Sequence, residues 1–302
     1  MQIPIEWLPA QGRAEQLILL LHGWGSSGAD MAPLAQALRL QFPQAAVLAP
    51  DAPTVYEGDV ERDAERDANR DANRDANRDA ERDAETDAER DAERDAERAA
   101  ERAAEPTPDG PAAAARRPPR RQWYAVRDLT PEVWPARVAA CLPGLRSWVL
   151  AQQQRLGVGP AATCLGGFSQ GAILSLALAA QHDGLAGRVL AFAGCFTAPP
   201  LAAPEHTTLH LFHGADDAVI PADGSRQALA WLAERGGDAT LDIAQGVGHE
   251  LHTALVQCAL QRLQSHIPAR TWRSALGAAR ALQAADDEPT SSPSPPLPLR
   301  SP

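Results

Sequence analysis

Six short apolar runs, separated by turns and helical patterns, set the strongest constraint on how this chain can fold. They are LILLL (17–21), AAVLA (45–49), ATCLGGF (162–168), RVLAFA (188–193), TLHLFH (208–213) and TLDIA (240–244). Most carry apolar residues at successive rather than alternate positions, so as strands they need cover on both faces. Helical patterns fall between them, over 30–42, 131–154, 171–181, 221–235 and 250–266. Thr130 ahead of Pro131 reads as the N-cap of the second. Apolar strands alternating with helices predict a mostly parallel central sheet with helices on both faces.

A second feature interrupts this pattern. Between Asp59 and Glu105 the chain repeats DAER, DANR and AAER units, with ten aspartates, nine glutamates and ten arginines, a balance of −9. The whole 302-residue chain carries −11, and all 28 of its basic residues are arginine, so the remainder is close to neutral. On a helix the i,i+3 pairs of this repeat attract and the i,i+4 pairs repel, each by about 0.2–0.5 kcal/mol, so they roughly cancel. With no apolar face to dock, the segment is expected to be a marginal helix or disordered. A straight helix from Asp59 to Glu105 would be about 70 Å long. The return from Pro106 to Arg121 spans at most about 56 Å. A break or fraying is therefore expected. The organisation that follows is one domain from residues 1–58 and 122–272, an insert over 59–121, and a tail over 273–302, Pro- and Ser-rich and disordered from about 286.

Composition excludes several classes of function. A nearly neutral body without a basic stripe argues against nucleic acid as a partner. No run reaches the roughly 18–20 apolar residues of a membrane span. Met1–Gln16 lacks the charged and apolar regions of a secretory signal, so a cytoplasmic protein is expected. Cys141, Cys164, Cys195 and Cys258 are widely spaced, which argues against a metal knuckle or a disulfide framework and for free thiols. No metal or cofactor is expected, and the oligomeric state is not written in these patterns.

The chemistry concentrates at turns after the apolar runs. Gly167-Phe168-Ser169-Gln170-Gly171 is a G-x-S-x-G between a strand and an Ala/Leu-rich helix, where a tight turn lifts a serine above the sheet. A serine hydroxyl needs a base, and the order Ser, acid, His places candidates downstream. His213-Gly214-Ala215-Asp216-Asp217 offers two acids, and Gly246-Val247-Gly248-His249 offers the base. His22 and His213, each before a glycine at a strand end, read as hydrogen-bonded turn residues. His182, His206, His210 and His266 read as surface or strand residues. A metal pair from His249 and His252 lacks a third ligand at suitable spacing. Acyl transfer also needs donors for a developing oxyanion. The backbone N–H of Gln170 and that of Trp24, in the turn HGWG after the first strand, are the candidates. Trp123 and Tyr124 are candidates for the substrate pocket, with a core role as the alternative.

The stretches LLLHGWGSSGADM, GFSQGAIL, FHGADDAVIP and GVGHEL together resemble the phospholipase/carboxylesterase group of α/β-hydrolases, over about residues 15–58 and 120–270. The resemblance implies the α/β-hydrolase fold, with Ser169 as nucleophile, Asp217 rather than Asp216 as acid, His249 as base, and Trp24 and Gln170 as oxyanion donors. It implies a serine carboxylesterase acting on a small-molecule ester of short to medium acyl chain. An acyl-thioesterase or lysophospholipase with the same residues is the alternative, as is a catalytically idle binding protein using the insert as an arm. The charged insert and the Pro/Ser tail depart from the family pattern.

Overall fold

The computed structural model describes residues 1–58 and 119–286. The expectations for the repeat and for the Pro/Ser tail fall on 59–118 and 287–302, outside the described residues.

Seven strands form the central sheet: β1 (Ile5–Trp7), β2 (Gln16–Leu21), β3 (Ala45–Ala49), β6 (Thr163–Phe168), β7 (Arg188–Phe192), β8 (Thr208–Gly214) and β9 (Ala239–Ala244). Their order is β1-β3-β2-β6-β7-β8-β9. Every pairing is parallel except that of the edge strand β1 with β3. All six expected strands are present. The three-residue β1 is additional and too short to show a period in sequence.

Pleating explains why the runs are apolar throughout. Successive side chains leave a strand on opposite faces. Leu17, Leu19 and Leu21 of β2 join one core layer, with Leu165, Val189, Ala191, Leu209 and Leu211. Ile18 and Leu20 join the other, with Val47, Leu190, Phe192 and Phe212. The first layer is closed by α2 (Trp134–Leu156), α3 (Gln170–Gln181) and α4 (Asp223–Glu234), and the second by α1 (Ala32–Gln41) and α5 (Thr253–Ser265). The arrangement is the helix–sheet–helix sandwich expected of an α/β-hydrolase. Helix α3 is apolar nearly all round because it packs on β2, β6 and β7 and also against α2.

Several boundaries differ from the sequence reading for identifiable reasons. Thr130 is not the cap of α2. Its carbonyl accepts from Val133 N and Trp134 N at 3.2 and 3.0 Å, forming a turn, and the helix starts at Trp134. Helix α5 starts three residues later than expected, with His252 as its N-cap accepting from Ala254 N–H at 3.2 Å. Residues 273–286, read as the start of the tail, form most of α6 (Ala269–Asp286). Its Ala, Arg and Leu residues favour helix, yet Trp272 and Leu276 are exposed, so propensity rather than burial marks it out. The insert is rooted in a two-stranded antiparallel pair, β4 (Thr54–Val55) with β5 (Arg121–Gln122). Arg121, placed at the end of the insert from sequence, thus belongs to the body. The roots are neighbours, held also by Glu57, whose Oε1 accepts from Val126 N and Arg127 N at 3.2 and 3.1 Å. Among the described residues no helix is long and apolar enough to cross a membrane, and the four cysteines are free.

Glycine placement fixes how closely α3 approaches the sheet. A Cβ on Gly171 would run into the carbonyl oxygen of Leu21, and one on Gly167 into the backbone of Gly171. Neither obstacle can yield without moving β2 or the start of α3. Gly171→Ala is expected to lower the unfolding free energy by about 1–3 kcal/mol, the range for overpacking. This would be read as a lower urea midpoint at unchanged slope. An unaltered midpoint would contradict this account of the turn.

Candidate active site

Ser169 occupies the junction of β6 and α3 with φ 53° and ψ −117°. Positive φ is uncommon for a residue with a Cβ. It is sustained here by a hydrogen bond from Ser169 N to Phe192 O at 3.0 Å and by the close fit of Gly167 and Gly171. The side chain emerges at the C-terminal edge of the parallel sheet, where α/β proteins gather their functional groups.

Two further loops on that edge meet it. The turn after β8 carries Asp217, and the loop after β9 carries His249. His249 Nε2 lies 3.0 Å from Ser169 Oγ, and His249 Nδ1 lies 2.7 Å from Asp217 Oδ2. The ring of Phe168 packs 4.9 Å from the imidazole centroid. Asp217 is buried and Asp216 is exposed, so burial separates the two acids that the sequence offered. The other oxygen of Asp217, Oδ1, accepts from Val219 N–H at 2.9 Å and Ile220 N–H at 2.8 Å. Burial pushes the carboxyl up. The hydrogen bonds from His249 and from the Ile220 and Val219 amides pull it further down, and the net position is below the ordinary aspartate value. An ionised acceptor at Nδ1 keeps the proton of a neutral His249 on that nitrogen and leaves Nε2 free to take one from Ser169.

A polar frame links the turn after β2 to the turn that carries Ser169. His22 is buried, and burial is the largest cause that lowers its imidazole from the ordinary value. As a neutral ring it donates from Nδ1 to Gly23 O at 2.7 Å and accepts at Nε2 from Ala52 N–H at 2.9 Å. Its carbonyl accepts from Trp123 Nε1–H at 2.9 Å. Trp24 donates from Nε1 to Gln122 Oε1 at 3.0 Å. The Gln170 carboxamide accepts from Trp123 N–H at 3.0 Å and donates to Tyr124 O at 2.9 Å. Trp24 and Gln170, the two residues expected to supply oxyanion donors, are thus tied to one stretch, Gln122–Tyr124. Gln170 is the first residue of α3, so its N–H has no acceptor within the helix.

Trp123 and Tyr124, read as candidates for a pocket, are buried, and the contacts observed are those of a frame. The Tyr124 hydroxyl accepts from Trp134 Nε1–H at 3.0 Å, and Cys141 Sγ reaches Trp123 O at 3.3 Å. The loop after β7 and the start of α4 line an open, mostly apolar pocket of about 290 Å³ with Phe196, Thr197, Pro199, Gln227, Ala228 and Trp231 on its walls. Sequence reading did not pick out the side chains of Gln122, Gln170 and Ser225; it read His213 as a hydrogen-bonded turn residue, which it is, without its proximity to Asp217. A polar residue beside a glycine turn at a strand end was the available signal for Gln170 and His213; Gln122 and Ser225 carried none.

The pH dependence of stability follows from Asp217. A carboxyl that titrates lower in the folded than in the unfolded chain contributes stability fully above the unfolded value, near 3.8. That contribution is lost as pH falls through the depressed folded value. The stability difference between the native chain and Asp217→Asn, measured by urea unfolding, is expected to be larger at neutral pH and to shrink below pH 3.8. A difference independent of pH would show that the carboxylate is not favoured in the folded state.

With the geometry in place, the relationships of the chain become informative. The sequence profile described as phospholipase/carboxylesterase matches residues 107–267. Esterase YpfH of Escherichia coli (strain K12) is 40% identical over 167 residues, 55% of this chain and 72% of that protein. Among solved structures, esterase PE8 superposes with a TM-score of 0.63 at 26% identity, covering 88% of this chain and 100% of that one. The Bacillus cereus carboxylesterase superposes with a TM-score of 0.57 at 13% identity, covering 85% and 91%, a likeness of fold alone. The family match, extending over half the chain, and the identity to YpfH establish that this chain belongs to the phospholipase/carboxylesterase family.

Proposed function

We propose that this chain is a serine carboxylesterase that hydrolyses small carboxylic esters through an acyl-enzyme on Ser169. The observation that carries this reading is the continuous line from buried Asp217 through His249 to Ser169, at 2.7 and 3.0 Å. Membership of a family whose relatives include esterases supports it.

In this mechanism His249 Nε2 takes the Ser169 hydroxyl proton as Oγ attacks the ester carbonyl. The carbonyl oxygen gains the negative charge and is met by the backbone N–H groups of Trp24 and Gln170. Asp217 stabilises the imidazolium without taking its proton. The tetrahedral intermediate collapses, the bond to the alcohol oxygen breaks, and His249 returns the proton to that oxygen. Water then attacks the acyl-enzyme with His249 again as base, and the acid leaves with Ser169 restored.

The test is hydrolysis of p-nitrophenyl esters of increasing acyl length, with acyl-thioesters run in parallel, on the native chain and Ser169→Ala. The variant is expected to keep its fold and lose about a million-fold in kcat, the scale for removing a triad nucleophile. Undiminished hydrolysis by Ser169→Ala would overturn the mechanism. Preference for thioesters over oxygen esters would keep the mechanism and change the substrate class.

A further inference from the structure

His213 lies at the C-terminal end of β8, completely buried, four residues ahead of the acid. It is outside the line of Ser169, His249 and Asp217, yet it touches that line. Its Nε2 is 2.7 Å from Ile220 O and 3.2 Å from Asp217 Oδ2. Both neighbours only accept, so Nε2 carries a proton. Its Nδ1 is 2.7 Å from Ser225 Oγ on α4, and that hydroxyl lies 3.2 Å from Gly194 O in the loop after β7.

We propose that His213 is a positioning residue for the acid, a reading that rests on the serine mechanism above. Asp217 Oδ2 sits between two imidazoles, His249 and His213, while Oδ1 takes two backbone amides. Ile220 belongs to both halves of this cradle. Its N–H donates to Oδ1, and its carbonyl accepts from His213. The Nε2 proton of this buried ring goes to Ile220 O, so the ring fixes the peptide whose N–H holds Oδ1, while Nε2 itself lies beside Oδ2 at 3.2 Å without a hydrogen bond to it. Through Ser225 Oγ, 2.7 Å from Nδ1, it secures the same turn to α4. Rotation of the Asp217 side chain would break several of these bonds together. The orientation of His249 Nδ1–H, and with it the approach of Nε2 to Ser169, depends on that rotation being prevented.

A completely buried ring is out of reach of substrate, so its effect appears in turnover rather than in binding. Three substitutions separate positioning from filling. His213→Phe keeps the ring volume and removes the donor. His213→Gln extends an amide N–H to about where Nε2–H stands. His213→Asn reaches only the Ser225 side. Outer hydrogen-bond partners of metal-ligating histidines cost about 10–100-fold when removed, and a loss on that scale is expected here. The expectation for p-nitrophenyl ester hydrolysis is that Phe and Asn lower kcat on that scale with KM changed less than about threefold. Gln is expected to restore most of kcat.

Native-like circular dichroism and urea midpoints identify the folded variants. If Phe does not fold, the contrast between Gln and Asn still decides. Equal kcat for Gln and Asn, a loss carried by KM, or failure of all three to fold overturns the proposal. Ser169→Ala, run alongside, separates the two claims. If it remains active the serine mechanism itself fails. If it is inactive while all His213 variants keep native kcat, only the role of His213 falls.

Discussion

The backbone of Ser169, at φ 53° and ψ −117°, is held in a region that an L-residue enters at a cost of about 1–3 kcal/mol. The hydrogen bond from its N–H to Phe192 O and the bare Cα atoms of Gly167 and Gly171 hold it there. The turn can be this tight only because β2, β6 and β7 run parallel in adjacent positions, so that Leu21 ends level with Gly167 and Phe192 level with Phe168. The loops after β8 and β9 end on the same edge, which brings Asp217 and His249 to the serine from different parts of the chain.

Glutamine carboxamides carry much of the alignment on the other side of the serine. Gln170 and Gln122 tie the start of α3 and the Trp24 turn to one short stretch, and Trp123 closes the link through the His22 carbonyl. Such groups are costly to bury unless their donors and acceptors are matched. The Gln170 oxygen and nitrogen and the Gln122 oxygen find partners across long sequence separations. The insert enters and leaves the body beside this stretch. Gly25 N–H donates to Arg121 O at 2.9 Å, and Arg121 N–H donates to Ser26 O at 2.7 Å. Trp24 packs edge-on to Tyr56 with ring centroids 4.8 Å apart. The roots of the most acidic part of the chain are thus joined to the turn that carries Trp24.

The strand set, the helix set and the serine turn were legible because they rest on local rules. Apolar runs of strand length, helical periodicity and a glycine-flanked serine are properties of a few neighbouring residues. The choice of Asp217 over Asp216 was not of this kind. Both acids are in one turn, and only the position of that turn against His249 buries one and leaves the other in water. The start of α2 was misplaced because the Thr130 carbonyl closes a turn first, a competition between hydrogen bonds that composition does not reveal. Helix α6 was missed because it buries little, and a search for apolar faces passes over a helix that stands on propensity.

By itself the sequence determined the parallel sheet, its helical covers and the turns that carry Ser169, Asp217 and His249, the residues of the proposed acyl chemistry, since each follows from spacing along the chain. Only the tertiary structure decided which side chains hold those residues in place. Trp123 and Tyr124 became parts of a frame, and His213 came to rest against Asp217. The physical reason is that a buried polar group must find its partners in three dimensions. Those partners, 101 residues apart for His22 and Trp123 and 47 for Trp123 and Gln170, meet only when the sheet is assembled.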